Sequence, residues 1–236
     1  MSIALMLVVL GCIAAYITYP IFRATRIDKK LMQTTVPYEQ HVAGTSMRIL
    51  VAGDSTGVGT GTRDAKYSTA GRLGKLFPTA TISNISENGL KIDGLRQKLT
   101  QLDGDYFDLA LIQIGANDVI RYTSLDEIRS GVASVLATIT TLSNRTIILT
   151  SGNIGLAPIF RWPLSQLYAN RTREVRRIFL EEIAKHATVT YVDLYREPID
   201  DELSKDIPRY YASDLLHLSD DGYGVWFKEI VSTAKL

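Results

Sequence analysis

The chain has 236 residues, a length that suits one globular domain with an appendage. Its formal net charge is +1, so nothing in the charge points to nucleic acid or another polyanion as a partner. The single cysteine, Cys12, excludes an internal disulfide framework and a cysteine-based zinc site. With only three histidines in the chain, a multi-histidine metal site is not expected either, and we predict no metal and no cofactor.

The first 24 residues form a separate apolar unit. No charged residue occurs from Ile3 to Phe22, and about 20 apolar residues in a helix can span a bilayer. Basic residues follow at once, at Arg23, Arg26, Lys29 and Lys30. The pattern predicts a transmembrane anchor over residues 1–24 and a single-pass membrane protein. The alternatives are a cleaved signal peptide, which would carry a basic residue before the apolar run, and a buried helix.

Residues 25–46 are predicted to be a linker. Residues 31–46 mix Gln, Thr, Pro, Glu and Gly without any period that would assign them to a helix or a strand. The basic flank lies on the side of the following domain, and the positive-inside rule then favours the cytoplasm for that domain. One short segment decides this, so the side of the membrane stays open.

The rest of the chain alternates strand and helix patterns. Nearly continuous apolar or β-branched runs, typical of strands covered on both faces, lie at 48–52, 80–85, 109–114, 146–150 and 189–194. Helical patterns lie between and after them, at 68–76, 92–102, 125–142, 167–185 and 220–233. Five strands alternating with helices predict a parallel sheet between two helix layers, a three-layer α/β/α fold.

Three polar motifs lie beyond the ends of predicted strands. Gly-Asp-Ser at 53–55 follows the first strand, Gly-Ala-Asn-Asp at 115–118 follows the third, and Asp-Leu-Leu-His at 214–217 comes after the fifth. Because sites in open α/β sheets form beyond the carboxyl ends of the strands, the motifs are predicted to share one site. They supply a serine hydroxyl, a histidine with a carboxylate beside it, and a side-chain amide, which is a working set for acyl transfer.

Each of these residues also has a structural interpretation. Ser55 could merely cap a helix, and a lone histidine such as His217 is usually a surface residue. Asp214 argues against a mere surface position for His217. On a tight turn the Asp214 carboxylate can reach one ring nitrogen of His217 and leave the other to face Ser55. We therefore interpret Ser55, Asp214 and His217 as a catalytic triad. Asn117 could cap a turn, and Asp118 is expected to take that structural part.

The order of the motifs resembles that of the SGNH hydrolases, also called the GDSL esterases and lipases. The residues at 53–55 resemble the nucleophile block of the family, with Thr56 where the family name has leucine. Asn-Ile-Ser-Glu-Asn-Gly at 84–89 resembles the second block, and the motifs at 115–118 and 214–217 are similar to the third and the last. The resemblance covers about residues 47–234.

This resemblance implies an SGNH/flavodoxin-like hydrolase domain over residues 47–236. It also implies that the side-chain amide of Asn117 and the backbone N–H groups of Ser55 and Gly89 form an oxyanion hole. The prediction is then an esterase, lipase or thioesterase that cleaves a small-molecule or lipid acyl ester through an acyl-enzyme intermediate. Two alternatives remain open, because a fold does not choose its function. One is an acyltransferase acting on a sugar or lipid hydroxyl, and the other is a non-catalytic binding module.

A further apolar segment, from Ile154 to Tyr168, follows the fourth predicted strand. It is too rich in proline for a simple helix and too apolar for a free loop. We predict that Phe160 and Trp162 wall the acyl-binding side of the cleft. Packing within the domain and contact with a membrane are the alternatives.

Overall fold

The centre of the molecule is a five-stranded parallel sheet. The computed structural model describes residues 2–102 and 104–236. The strand order is β2-β1-β3-β4-β5. The strands are β1 Arg48–Gly53, β2 Thr81–Asn84, β3 Phe107–Gln113, β4 Ser143–Leu149 and β5 Val189–Val192. The central strands β1 and β3 are buried along nearly their whole length, which explains their almost unbroken apolar sequence. The predicted parallel sheet is confirmed.

Helices cover both faces of this sheet. They are α1 Ile3–Thr34, α2 Ser55–Val58, α3 Thr69–Leu76, α4 Ile92–Thr100, α5 Ala116–Ile120, α6 Leu125–Leu142, α7 Leu164–Ile183, α8 Ile207–Tyr210 and α9 Asp220–Ala234. α6 contacts both α4 and α7 in one layer, and α3 contacts α9 in the other. The connection from β1 to β2 crosses the sheet in one direction, and the connections from β2 to β5 cross it in the opposite direction. Because each crossover is right-handed, the helices of the two sets lie on opposite faces of the sheet. The three-layer α/β/α prediction is confirmed.

Helix α6 shows how local sequence fixes the ends of an element. The Ser124 side chain accepts a hydrogen bond from the backbone N–H of Glu127 at 3.2 Å, and the Glu127 carboxylate accepts one from the Ser124 N–H at 3.1 Å. This capping box satisfies two N–H groups that the first turn leaves free. The helix then buries its apolar face, including Ile128, Val132 and Leu136.

The amino-terminal helix α1 is long and apolar enough to cross a membrane, and it fits a single-pass anchor or a signal sequence. It continues without a break to Thr34, well past the apolar run. Farther along, Gln40 pairs with Ile82 at the edge of the sheet, and its side chain donates to the carbonyls of Phe77 at 3.0 Å and Ala80 at 2.6 Å. The division into anchor, linker and hydrolase domain stays a prediction.

Candidate active site

Ser55 lies at the carboxyl end of β1, where the chain turns into the short helix α2. Asp54 caps this helix, and its carboxylate accepts hydrogen bonds from the backbone N–H of Thr56 at 3.0 Å and from its hydroxyl at 2.8 Å. Gly53 is required before the turn, because a Cβ there would lie 1.8 Å from the carbonyl oxygen of Gln113 on the neighbouring strand. The turn therefore fixes Ser55 at the edge of the sheet with little freedom.

His217 lies at the end of a tight turn that begins near Ala212. The backbone N–H of Ala212 donates to the His217 carbonyl at 2.8 Å, and Leu215 has a left-handed φ of +61°. The Asp214 carboxylate holds the turn by accepting backbone N–H bonds from Leu216 at 3.1 Å and His217 at 3.0 Å. This short spacing lets one carboxylate bind both the backbone and the imidazole of the same turn.

The turn brings the three predicted triad residues into a hydrogen-bonded row. The Nδ1 atom of His217 is 2.6 Å from Oδ2 of Asp214, and its Nε2 atom is 2.9 Å from Oγ of Ser55. Asp214 is fully buried, and Ser55 and His217 are each less than a tenth exposed. With Asp214 ionised, Nδ1 carries the proton and Nε2 is free to accept the proton of the serine hydroxyl.

The two buried carboxyl groups of the site have pKa values shifted in opposite directions. Burial by itself would raise the pKa of Asp214, but the hydrogen bond and charge of His217, with the two backbone N–H bonds, lower it below its ordinary value. Burial raises the pKa of Asp54 to about 6, and the hydrogen bonds from Thr56 offset only part of the shift. Asp214 therefore stays ionised over a wider pH range than Asp54.

The two other predicted oxyanion residues lie beside Ser55. Gly89, Asn117 and Ser55 line the same cleft. Gly89 has a left-handed φ of +77°, a conformation that strains any residue with a Cβ, and a Cβ there would be 3.2 Å from the guanidinium of Arg121. Asn117 belongs to α5, which starts at the carboxyl end of β3. Asp118 has a structural part instead, since its carboxylate accepts a hydrogen bond from the backbone N–H of Ile92 at 3.0 Å.

The cleft has a cavity volume of about 160 Å³. A water molecule needs only about 10–15 Å³ measured in this way, so the cleft takes a much larger group. Its walls are mixed, with both polar and apolar side chains. The apolar lining residues include Ile154, Leu156, Ala157, Leu203 and Leu216. An apolar chain with one reactive polar group matches such a surface.

The prediction for Phe160 and Trp162 is wrong. The start of the segment that contains them lines the cleft, but Phe160 packs its ring 4.4 Å from the ring of Tyr168, and Trp162 is 73% exposed. The chain turns at Pro158 and moves away from the cleft, where no strand or helix period could have indicated the direction. Ile154, Leu156 and Ala157 take the place at the cleft wall that we expected of the aromatic residues.

Two lining residues fall in the segment predicted to be the linker, and both belong to α1. Asp28 and Met32 line the cleft, and a carboxylate oxygen of Asp28 lies 3.6 Å from Nδ1 of His217. Burial raises the pKa of Asp28, the charge of His217 partly offsets this shift, and Asp214 adds to it. The sequence signal that could have indicated a packed helix face here is the three- and four-residue spacing of apolar positions, which continues from Ile17 to Met32.

Asp28, Asp214 and His217 also offer one ligand atom each within 4.8 Å of one another, as a metal site would. Both ring nitrogens of His217 are already within hydrogen-bond distance of Asp214 and Ser55. A metal on Nδ1 would have to displace the Asp214 hydrogen bond. The arrangement therefore fits proton transfer better than metal binding.

Comparison with known proteins agrees with this fold. The family model described as the GDSL-like lipase/acylhydrolase family matches residues 51–225. A search of curated proteins finds no match. Several solved structures have the same fold, all at low sequence identity. A G-D-S-L family lipolytic protein from Veillonella parvula has a TM-score of 0.63 at 16% identity, with 79% of this chain and 97% of that chain covered.

Two further structures are similar. TesA has a TM-score of 0.63 at 18% identity, with coverage of 80% of this chain and 98% of its own. A lipase/acylhydrolase from Enterococcus faecalis has a TM-score of 0.57 at 19% identity, with coverage of 79% and 94%. These likenesses establish the fold, and the family match extends over most of the chain. The protein therefore belongs to the GDSL-like lipase/acylhydrolase family and is, at the level of that family, an ester hydrolase.

Proposed function

We propose that the protein is a membrane-anchored serine esterase that uses Ser55, His217 and Asp214 as its catalytic triad. The observation that carries the proposal is the position of His217, whose two ring nitrogens face Asp214 at 2.6 Å and Ser55 at 2.9 Å. A histidine base held by a carboxylate is sufficient to activate a serine for attack on an ester carbonyl. The substrate is an acyl ester whose chain occupies the apolar part of the cleft.

The reaction has two halves. In the first, Oγ of Ser55 attacks the ester carbonyl while Nε2 of His217 takes the hydroxyl proton, and the imidazolium then gives that proton to the departing alcohol. In the second, water attacks the acyl-enzyme, His217 again takes a proton, and Ser55 leaves with it to release the free acid. Asp214 keeps His217 in the required tautomer during both halves.

The oxyanion formed in each half needs hydrogen-bond donors that are already in place. We assign this role to the N–H groups of Ser55 and Gly89 and the side-chain amide of Asn117, all of which border the cleft. The first test is a series of 4-nitrophenyl esters of increasing acyl length, with the free acid measured as product. Labelling of the protein by a fluorophosphonate, with less labelling while an ester substrate is being turned over, would support Ser55 as the nucleophile. A protein that binds the esters but neither releases acid nor reacts with the probe would contradict the proposal.

Asn117→Ala is expected to lower kcat by roughly 10²- to 10³-fold and to change KM much less, because an oxyanion donor acts mainly in the transition state. Steady-state kinetics on a short ester measures both constants. Asp118→Ala is the neighbouring control, since its carboxylate holds the N–H of Ile92 and not the reacting oxygen. A change in KM alone would instead make Asn117 a substrate-binding residue.

The full chain is expected to stay with membranes after washing with high salt, because the apolar part of α1 holds it by burial in hydrocarbon and not by charge. A chain that starts at Thr35 keeps the contacts of Gln40 with the sheet edge and should be released as a soluble protein active on small esters. Fractionation followed by immunoblotting measures both. Release of the full, uncleaved chain by salt would contradict the anchor.

A further inference from the structure

One face of α1 packs against the rest of the protein, and this face begins inside the apolar run. The partly or fully buried positions recur every three or four residues, as expected for one helix face. They are Ile17, Pro20, Ile21, Ala24, Ile27, Asp28, Leu31 and Met32. Ala24 is only 5% exposed, and the side chain of Asn88 donates to the Met32 carbonyl at 3.2 Å. The second half of α1 is therefore held against the domain at the cleft.

The first half of α1 has no buried face of this kind in the described part of the chain. Every residue from Ile3 to Tyr16 is exposed. These are about 14 residues, or roughly 21 Å of helix, whereas a bilayer core is about 30 Å thick. The exposed part of α1 is therefore shorter than the hydrocarbon core. A helix that spans the bilayer then brings the domain surface beside Tyr16 against the bilayer boundary.

The surface at this level is the loop 158–163. The guanidinium of Arg161 lies over the ring of Tyr16, 4.4 Å from its centroid, and donates to the Tyr16 carbonyl at 3.4 Å. The next residue, Trp162, is 73% exposed, and Tyr16 and Tyr19 on α1 are also more than half exposed. Tryptophan and tyrosine are enriched at the membrane–water boundary, where an apolar ring and a polar tip are both satisfied.

The same loop is joined to the cleft. Ala157, directly before it, lines the cleft, and the N–H of Ile159 donates to the carbonyl of Leu215 at 3.1 Å. Leu215 is partly exposed and belongs to the turn that carries Asp214 and His217. The loop, the catalytic turn and the second half of α1 therefore surround one opening.

We propose that the loop 158–163 is a second membrane contact, in which Trp162 lies in the headgroup layer of the bilayer and holds the mouth of the cleft against it. The partner of this surface is the lipid bilayer, and the substrates reached through it are amphipathic esters resident in that bilayer. The proposal rests on the anchor and the esterase activity proposed above. It accounts for an exposed tryptophan that no packing within the described chain requires.

Fluorescence of the full chain in phosphatidylcholine vesicles tests the contact. The chain has two tryptophans, and the other, Trp226, is 7% exposed and lines the cleft. We expect emission at shorter wavelength and loss of intensity when the lipid is brominated near the carbonyl end of its acyl chains. Both effects should disappear in Trp162→Phe, which leaves the Trp226 signal. An unquenched Trp162 in protein that still sediments with the vesicles would overturn the proposal.

Activity separates this contact from the chemistry. Trp162→Glu should lower the rate on a long-chain ester carried in vesicles by about tenfold, because a carboxylate replaces the interfacial ring. Its rate on soluble 4-nitrophenyl acetate should stay within about twofold, because the triad is untouched. Leu76→Glu is the matched control, since Leu76 is also exposed but ends α3, which lies in the other helix layer from α7.

The outcomes distinguish this proposal from the esterase proposal. Equal rates for Trp162→Glu and Leu76→Glu on the vesicle ester would overturn the membrane contact while the esterase stands. A wild-type chain without activity on either ester would instead overturn the esterase, and the fluorescence experiment would still decide the contact.

Discussion

Ser55→Ala is expected to reduce ester hydrolysis by at least about 10⁴-fold, because the acyl-enzyme cannot form without the serine oxygen. The remaining rate would come from binding and from the oxyanion donors acting on water. Steady-state turnover of a short ester measures the loss, and the variant should no longer react with a fluorophosphonate probe. A residual rate above about a hundredth of wild type would mean that another group is the nucleophile.

The fold should survive this change. Ser55 is a small side chain at the edge of the sheet, and its hydroxyl hydrogen-bonds to His217. The neighbouring Asp54 and Thr56 keep the cap of α2 intact. Thermal unfolding of Ser55→Ala should therefore follow that of the wild type. Thr60→Ala is a matched control that removes a hydroxyl from the same region, where it donates to Asn88 at 2.6 Å, and it should keep most of the activity.

Asp214→Asn is expected to lower kcat by about 10⁴-fold with little change in KM, as the wrong histidine tautomer would. The amide oxygen can still accept the backbone N–H bonds of Leu216 and His217, so the turn should hold. The amide NH₂ would then face Nδ1 of His217 and force the proton onto Nε2. That nitrogen could no longer accept the proton of Ser55.

Asp28→Asn is the control that separates the effect on kcat of a negative charge near His217 from the effect of the Asp214–His217 hydrogen bond. Its carboxylate lies 3.6 Å from the same Nδ1 atom, too far for a good hydrogen bond. We expect a loss of less than about tenfold, because only a nearby charge is removed. A loss as large as that of Asp214→Asn would mean that the charge around the imidazole matters more than its tautomer.

The pH dependence of stability gives a second measurement for Asp214. Its pKa in the folded protein is below the ordinary value of 3.8, so the carboxylate stabilises the fold above that pH, and this contribution is lost as the pH falls through the lowered pKa. The wild type should therefore lose stability relative to Asp214→Asn in strong acid. Urea unfolding at a series of pH values measures the difference, and parallel curves would contradict it.

Local sequence was sufficient for the sheet and for most of the site. The strands predicted at 48–52 and 109–114, and observed at 48–53 and 107–113, were recognisable because a strand buried on both faces must be apolar along its whole length. Helix α6 was recognisable because Ser124 and Glu127 cap it through bonds three residues apart. The site residues at 55, 117 and 217 could be grouped because parallel strands end at one edge.

The direction of loops and the partners of surface helices could not be predicted in this way. Phe160 and Trp162 are apolar neighbours, yet one packs against Tyr168 and the other is exposed, because the chain turns between the cleft and α7. Asp28 and Met32 reach the cleft only because one face of α1 meets the loops that carry Asn88 and His217.

The sequence by itself determined the family, the parallel α/β sheet and the candidates for a serine nucleophile and its partners, because each depends on side-chain types at short, fixed spacings. Only the tertiary structure decided that α1 forms part of the cleft wall and that the loop 158–163 contacts Tyr16. Contacts between segments more than a hundred residues apart depend on how loops close over the sheet. No local period or propensity encodes that geometry.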